Sequence, residues 1–179
     1  MDLRIQKTKA AIKAAFLQLR RKNPIEKITI TELSRVAQIN KATFYLHYSD
    51  IFALSDEIED GLIDEILANL GVLDRFGIDP QKYSVEIFRE FMKHRVELRE
   101  LFSGSRNSLF STKIEKRIKA QIYQNAPALK NRHNDIILSF VIQGIFHTVT
   151  NSIDDDVEEV YMILDDITAD IIKKLIADT

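Results

Sequence analysis

The chain has 179 residues, no cysteine, 45% hydrophobic and 29% charged residues, and a formal net charge of −2. That length holds one sizeable core or two small ones, the composition is that of a folded globular protein rather than a disordered chain, and the missing cysteines exclude disulfides and thiolate metal sites, as expected of a reducing, cytoplasmic setting. The charge is uneven: residues 1–50 hold ten Lys/Arg against four Asp/Glu, a net of +6, whereas residues 51–179 hold 15 against 23, a net of −8, so a basic end able to meet a polyanion precedes an acidic body.

Five glycines and three prolines are too few for the turns of an all-β protein and favour long helices. No apolar run approaches the ~20 residues that span a bilayer, and no uninterrupted apolar h-region marks a secretory signal. The first helix is predicted over residues 4–22, with Ile5, Ile12, Phe16 and Leu19 on one stripe and Ala11 and Ala15 beside it. Its basic residues fall mostly off that stripe. It could lie on an anionic membrane, but the stripe is narrow and lacks tryptophan. "NPIEK" ends it, because Pro24 disfavours helical geometry at Asn23.

Thr29 stands three residues before Glu32, the spacing of a capping box, so the second helix is predicted to open there and to bury Leu33, Val36 and Ala37. It stops near Gln38-Ile39-Asn40. Asn40 is a good N-cap for a third helix from Lys41. "TITELSRVA", "QIN" and "KATFYLHY" thus spell helix, tight turn, helix. Ser49-Asp50 offers the next cap, and Leu54, Ile58, Leu62, Ile66 and Leu70 mark a long amphipathic helix. "GVLDRFGIDP" is expected to be a loop. One helix is predicted over 84–102 (Val85, Phe88, Phe91, Met92, Val96, Leu98, Phe102), a break at "SGSRNS", and another helix over 109–125 closed by Ala126-Pro127. "NDIILSFVIQGIFHTVTNSI" is apolar over more than one face, the mark of a helix buried on several sides. The last helix carries Val157, Val160, Tyr161, Leu164, Ile167, Ile171 and Leu175 at 3-, 4- or 7-residue steps.

A helix-turn-helix lays its second helix in the DNA major groove and keeps small or apolar residues inward. In "NKATFYLHY", Lys41, Thr43, Tyr45 and His47 can donate to phosphates or base edges, Ala42 allows close approach, and Phe44 can face the core. Tyr48 suits the core.

The segment Ala37–Leu54, "AQINKATFYLHYSDIFAL", resembles the tetracycline-repressor (TetR) family of bacterial regulators, whose pattern is A-G-V-S-x-x-T-x-Y-x-H-F-x-x-K-x-x-L; Thr29 matches the family's opening threonine. The likeness covers roughly residues 4–58, and "VIQGIF" resembles the family's glycine-containing penultimate helix. The resemblance implies an all-α protein: an N-terminal three-helix helix-turn-helix DNA-binding domain over residues 1–50, then an α-helical ligand-binding and dimerisation bundle over 51–179. It places Thr31, Lys41, Ala42, Thr43, Tyr45 and His47 where family members meet DNA. It implies a homodimer on a palindromic operator in double-stranded DNA, most often acting as a repressor, and control by an unknown small-molecule effector, with the long helix from Ile51 as lever. Three departures stand out. Gln38 replaces the turn glycine and is strained if that position needs positive φ. Asn40 replaces a serine but caps equally well. Ile51 replaces a lysine that in many members contacts phosphate, so one backbone contact is lost.

Phe88, Phe91, Met92 and Phe102, with Gln143 and His147 four apart on a buried helix, are the candidates for a ligand cavity, although such aromatic stripes are usually core. Ile137, Phe140, Val141, Ile145, Val160, Leu164, Ile167 and Ile171 are the candidates for pairing with a second copy. His94 and His133 stand alone, and no metal-ligand spacing occurs. No Gly-rich phosphate loop, GxSxG, HExxH or CxxC is present, so neither an enzyme nor a cofactor is expected. The rival reading is a DNA-binding regulator with no small-molecule ligand, controlled by a protein partner.

Overall fold

A computed structural model of the chain describes residues 3–69, 80–102, 106–152 and 156–177. Among the described residues all regular structure is helical: α1 Leu3–Arg20, α2 Ile30–Val36, α3 Lys41–Tyr45, α4 Ile51–Asn69, α5 Pro80–Lys93, α6 Arg95–Leu101, α7 Arg106–Asn125, α8 Arg132–Asn151 and α9 Val157–Ala177, with short 3-10 turns at Ile25–Lys27 and Pro127–Leu129. The expected all-α class holds.

The helices start where side-chain acceptors stand ready. Thr29 Oγ1 accepts from the Glu32 amide at 3.2 Å, Asn40 Oδ1 from the Thr43 amide at 2.7 Å, Asp50 Oδ1 from the Ala53 amide at 2.8 Å and Asn131 Oδ1 from the Asn134 amide at 2.8 Å. Each satisfies a donor that the first helical turn leaves unpaired. The helix expected over 84–102 is broken at His94: α5 opens on Pro80, a favoured first position, and Arg95 donates to the Met92 carbonyl at 2.9 Å, capping its end. The loop expected over 71–80 and Leu70 lie outside the described residues up to position 79, as does the side chain of Val85.

The chain forms two compact units. The first comprises residues 1–62 and returns for residues 100–106; the second comprises 63–99 and 107–179. Leu54, Ser55 and Glu59, on the first turns of α4, are buried and belong to the first unit.

In the first unit, Ile12, Phe16 and Leu19 of α1, Ile25, Ile28, Leu33, Phe44, Tyr48 and Leu54 make the core, and α2 packs against α1 and α3. Ile5, expected on the stripe of α1, is exposed; it lies two turns before Ile12, beyond the reach of that core. An ionic knot closes the unit. Arg106 donates to both oxygens of Glu59 and to Asp56, and Ser55 Oγ donates to Glu59 at 2.8 Å. Burial pulls the Arg106 guanidinium down, but the bonds to Glu59 and Asp56 more than offset this and hold it above its ordinary value. Arg20 is held below its own ordinary value by burial; it donates to the carbonyls of Asn23 at 3.0 Å and Leu101 at 2.7 Å.

In the second unit α5 packs on α8 and α9, and α8 on α9. Phe110 and Phe146 meet at 5.3 Å between ring centroids. Between α7 and α8 runs a polar seam: Lys119 contacts Ser139 at 2.6 Å, Glu115 at 2.9 Å and Asp135 at 3.0 Å, and Gln143 donates to Glu115 at 2.7 Å. Tyr123 donates to Asp135 at 3.0 Å, and burial together with that carboxylate pushes its hydroxyl up to about 12. Val96, expected in the core, is exposed, since it stands two residues before the buried Leu98, on the other side of α6 from that side chain.

Candidate nucleic-acid interface

The turn between α2 and α3 is built by the ends of both helices. The Ile39 amide donates to the Ser34 carbonyl at 3.0 Å and the Gln38 amide to the Arg35 carbonyl at 3.3 Å. These are the two bonds of a Schellman motif, which needs a left-handed residue after the helix cap. Gln38 is that residue, with φ 55°; it is the one non-glycine residue with positive φ among those described. The strain anticipated for the glycine replacement is present.

From Asn40 the chain turns into α3. Phe44 is fully buried and Tyr48 nearly so; their rings lie 5.7 Å apart. The Tyr48 hydroxyl donates to Glu57 at 3.3 Å, while Lys9 sits 5.3 Å above its ring. Burial, then the Glu57 charge, pushes the Tyr48 hydroxyl well above its ordinary range. Glu57 is also paired with Lys9 at 2.8 Å and Lys13 at 2.9 Å. Its carboxyl would be raised by burial, yet the hydrogen bonds from those lysines hold it below its usual value. One face of α3 is thus fixed to the unit's core.

The opposite face is open. Lys41, Ala42 and Tyr45 are exposed, Tyr45 to 56%, and Thr43 and His47 are half-buried. Thr31 is exposed on α2. All six candidate DNA residues belong to the first unit. Thr43 is partly committed, because its hydroxyl donates to Asn40 Oδ1 at 2.9 Å. Ile51 is buried, so the position at which the TetR pattern has a lysine faces the core here. Sequence reasoning passed over Leu46, which is 82% exposed; a leucine at the i+4 position from Ala42 was the signal, because Phe44 already fixes the inward face.

The candidate ligand residues are not gathered into one cavity. Phe88, Phe91 and Met92 are packed in the core of the second unit, Phe102 belongs to the first, and His147 is exposed. Gln143 spends its amide on Glu115 and the Ser111 carbonyl. The apolar stripe of α5 is core because α8 and α9 close over it. A cleft of about 390 Å³ lies instead between α4 and α7, lined by Asp64, Leu67, Ala68, Arg117, Ala120, Gln121 and Gln124; none of the six is in it. Arg117 is paired with Asp64 at its edge.

The candidate pairing residues differ in exposure, with Phe140 and Ile167 open. Val141 and Ile145 lie in the unit's own core, while Ile137, Val160, Leu164 and Ile171 are half-buried. The open apolar side chains are Ile136 and Phe140 on α8 and Met162, Ile163 and Ile167 on α9, with Phe140 67% exposed.

Among the described residues no helix is long and apolar enough to cross a membrane, and no group of three His, Cys, Asp or Glu is placed to hold a metal ion.

The fold is a helix-turn-helix unit joined to an all-helical bundle. It is similar to a solved structure described as the dihydroxyacetone kinase operon activator DhaS, with a TM-score of 0.57 over 96% of this chain and 95% of that one, at 17% sequence identity. No protein-family model matches the chain, and no curated protein matches it.

Proposed function

We propose that this protein is a TetR-like, DNA-binding transcriptional regulator that binds a palindromic operator as a homodimer. The observation that carries the reading is the two-sided α3. Its inward face is anchored by Phe44 and Tyr48, while Lys41, Ala42 and Tyr45 stand open on a capped helix in a basic segment. Such a helix fits the major groove, with Lys41 and Tyr45 reaching phosphate or base edges. The similarity to a structure described as an operon activator supports a role in transcription. Repression is the mode implied by the TetR likeness, activation the mode of DhaS, and transcript levels with and without the gene decide between them.

The exposed side chains of α8 and α9 support the dimer, since two copies of one apolar patch can cover each other about a two-fold axis. Release by a small-molecule effector is supported by the cleft between α4 and α7, with α4, which contributes to both units, as the lever. A second reading is favoured by the solid packing of Phe88, Phe91 and Met92: a regulator without a small-molecule ligand, answering to a protein partner.

Gel shifts over a salt series test the main reading. Lys41→Ala is expected to weaken binding and reduce the salt slope by about 1, the loss of one phosphate contact. Tyr45→Phe is expected to cost about 1 kcal/mol, one hydrogen bond. Both variants should melt like the parent. Unchanged affinity in both would remove α3 from the interface.

A further inference from the structure

We propose that Leu46 reads thymine: its side chain, with Ala42 and Tyr45, forms an apolar strip that packs against the 5-methyl groups of thymines in the major groove. This rests on the DNA-binding reading above and adds what the site would select.

Leu46 follows the last residue of α3 but keeps helical geometry, with φ −68° and ψ −21°, and its amide donates to the Ala42 carbonyl at 3.1 Å. Ala42, Tyr45 and Leu46 therefore stand at i, i+3 and i+4 on one side of the rod, opposite the buried Phe44. Leu46 is the most exposed large apolar side chain described in the chain. Isolated surface leucines are ordinary; here the leucine continues a strip on the one helix shaped to enter a groove.

The chemistry of that surface narrows the partner. Thr43 gives its hydroxyl to Asn40. On the outer side of α3 the remaining donors are the Lys41 ammonium and the Tyr45 hydroxyl, and neither Ala42 nor Leu46 can form a side-chain hydrogen bond. Apart from Lys41, which can meet guanine O6 and N7, no side chain of Lys41–Leu46 reads guanine or adenine by a two-point bond. Among the groups that base pairs show in the major groove, the thymine methyl is the apolar one. The +6 charge of residues 1–50 makes a polyanion the fitting occupant of this surface, rather than an apolar protein face.

The test uses the full chain. A random-sequence duplex pool is enriched on the purified protein, and the enriched duplex is the probe. Each thymine in turn is replaced by uracil, which removes only the methyl group. For the parent protein, uracil at one or more positions is expected to weaken binding about fourfold for each methyl contacted, the effect of one buried CH₂-sized group. For Leu46→Ala, whose helicity and melting should match the parent because the site is exposed, the thymine probe should bind more weakly and uracil should cost nothing further at the position Leu46 covers, while a methyl met by Ala42 or Tyr45 keeps its penalty. Uracil probes that bind the parent as tightly as thymine probes, or a uracil penalty unchanged at every position in Leu46→Ala, overturn the inference and leave DNA binding intact. Failure of any sequence to be enriched overturns the DNA-binding reading itself.

Discussion

The guanidinium of Arg106 grips the carboxylate of Glu59, 47 positions earlier in the chain, through Nε at 2.9 Å and Nη2 at 2.7 Å, and Glu59 is only 1% exposed. A paired buried charge is tolerated, whereas a buried charge stripped of its partner is not. Arg106→Ala should therefore destabilise the protein by about 3–5 kcal/mol, read as a lower urea midpoint. Arg106→Lys restores the charge but not the two-pronged bond and should recover only part of the loss. Equal stability for all three proteins would show the pair to be energetically idle.

Gln38 holds a left-handed conformation at the end of α2. Gln38→Gly removes strain of about 1–2 kcal/mol but loosens the unfolded chain by about 0.4–1 kcal/mol. The balance should raise Tm by up to about 6 °C, and Gln38→Val should lower it, since a β-branched residue fits that region worst. A lower Tm for the glycine variant would contradict this account of the turn.

Acid should unfold the protein through its paired carboxylates. Burial would raise the Glu115 carboxyl, but bonds from Ser139, Gln143 and Lys119 overcome it and hold the group below 4.5; Glu57 and Glu90 are also held low. A carboxyl with a lowered folded pKa binds fewer protons than its unfolded counterpart, so stability is full above about 4.5 and falls as pH drops through the folded value. Lys119 has the opposite sign: held above 10.5 by Glu115 and Asp135 against burial, it contributes below that pH and is lost as pH rises beyond it. Urea midpoints across pH should form a plateau with two falling limbs, and Glu115→Gln should flatten the acid one.

Phe140 stands open on α8. If α8 and α9 pair with their copies, Phe140→Glu should raise the dimer dissociation constant by about 30-fold or more, as loss of a 2 kcal/mol anchor does, without loss of helicity. Sedimentation equilibrium reads the mass directly. A parent chain that sediments as a monomer at tens of micromolar ends the pairing proposal.

Much of the N-terminal unit was legible because its signals are local. Thr29, Asn40 and Asp50 declare helix starts by their chemistry, and Phe44 and Tyr48 fall on one face by spacing alone. The rest depends on partners far along the chain. Apolar residues surround α8, so spacing could not tell that Val141 and Ile145 face inward and Ile136 and Phe140 outward. Nothing near His94 marks the end of α5 in the way that Pro24 marks the end of α1. The aromatic run of α5 has the same pattern whether it lines a cavity or fills a core. Glu59 was the overlooked sign: it shares a face of α4 with Leu62, Ile63 and Ile66, where a carboxylate needs a cation from elsewhere.

The return of residues 100–106 to the N-terminal unit bears on how that unit can be handled in isolation. Cutting the gene after Leu62 deletes Leu101, Phe102 and Arg106 together, so the excised headpiece would have a hole in its hydrophobic interior and an acidic side chain bereft of its guanidinium. A minimal N-terminal fragment would have to splice residues 100–106 back in, or replace Glu59 with a neutral residue, before it could be produced as an autonomous domain.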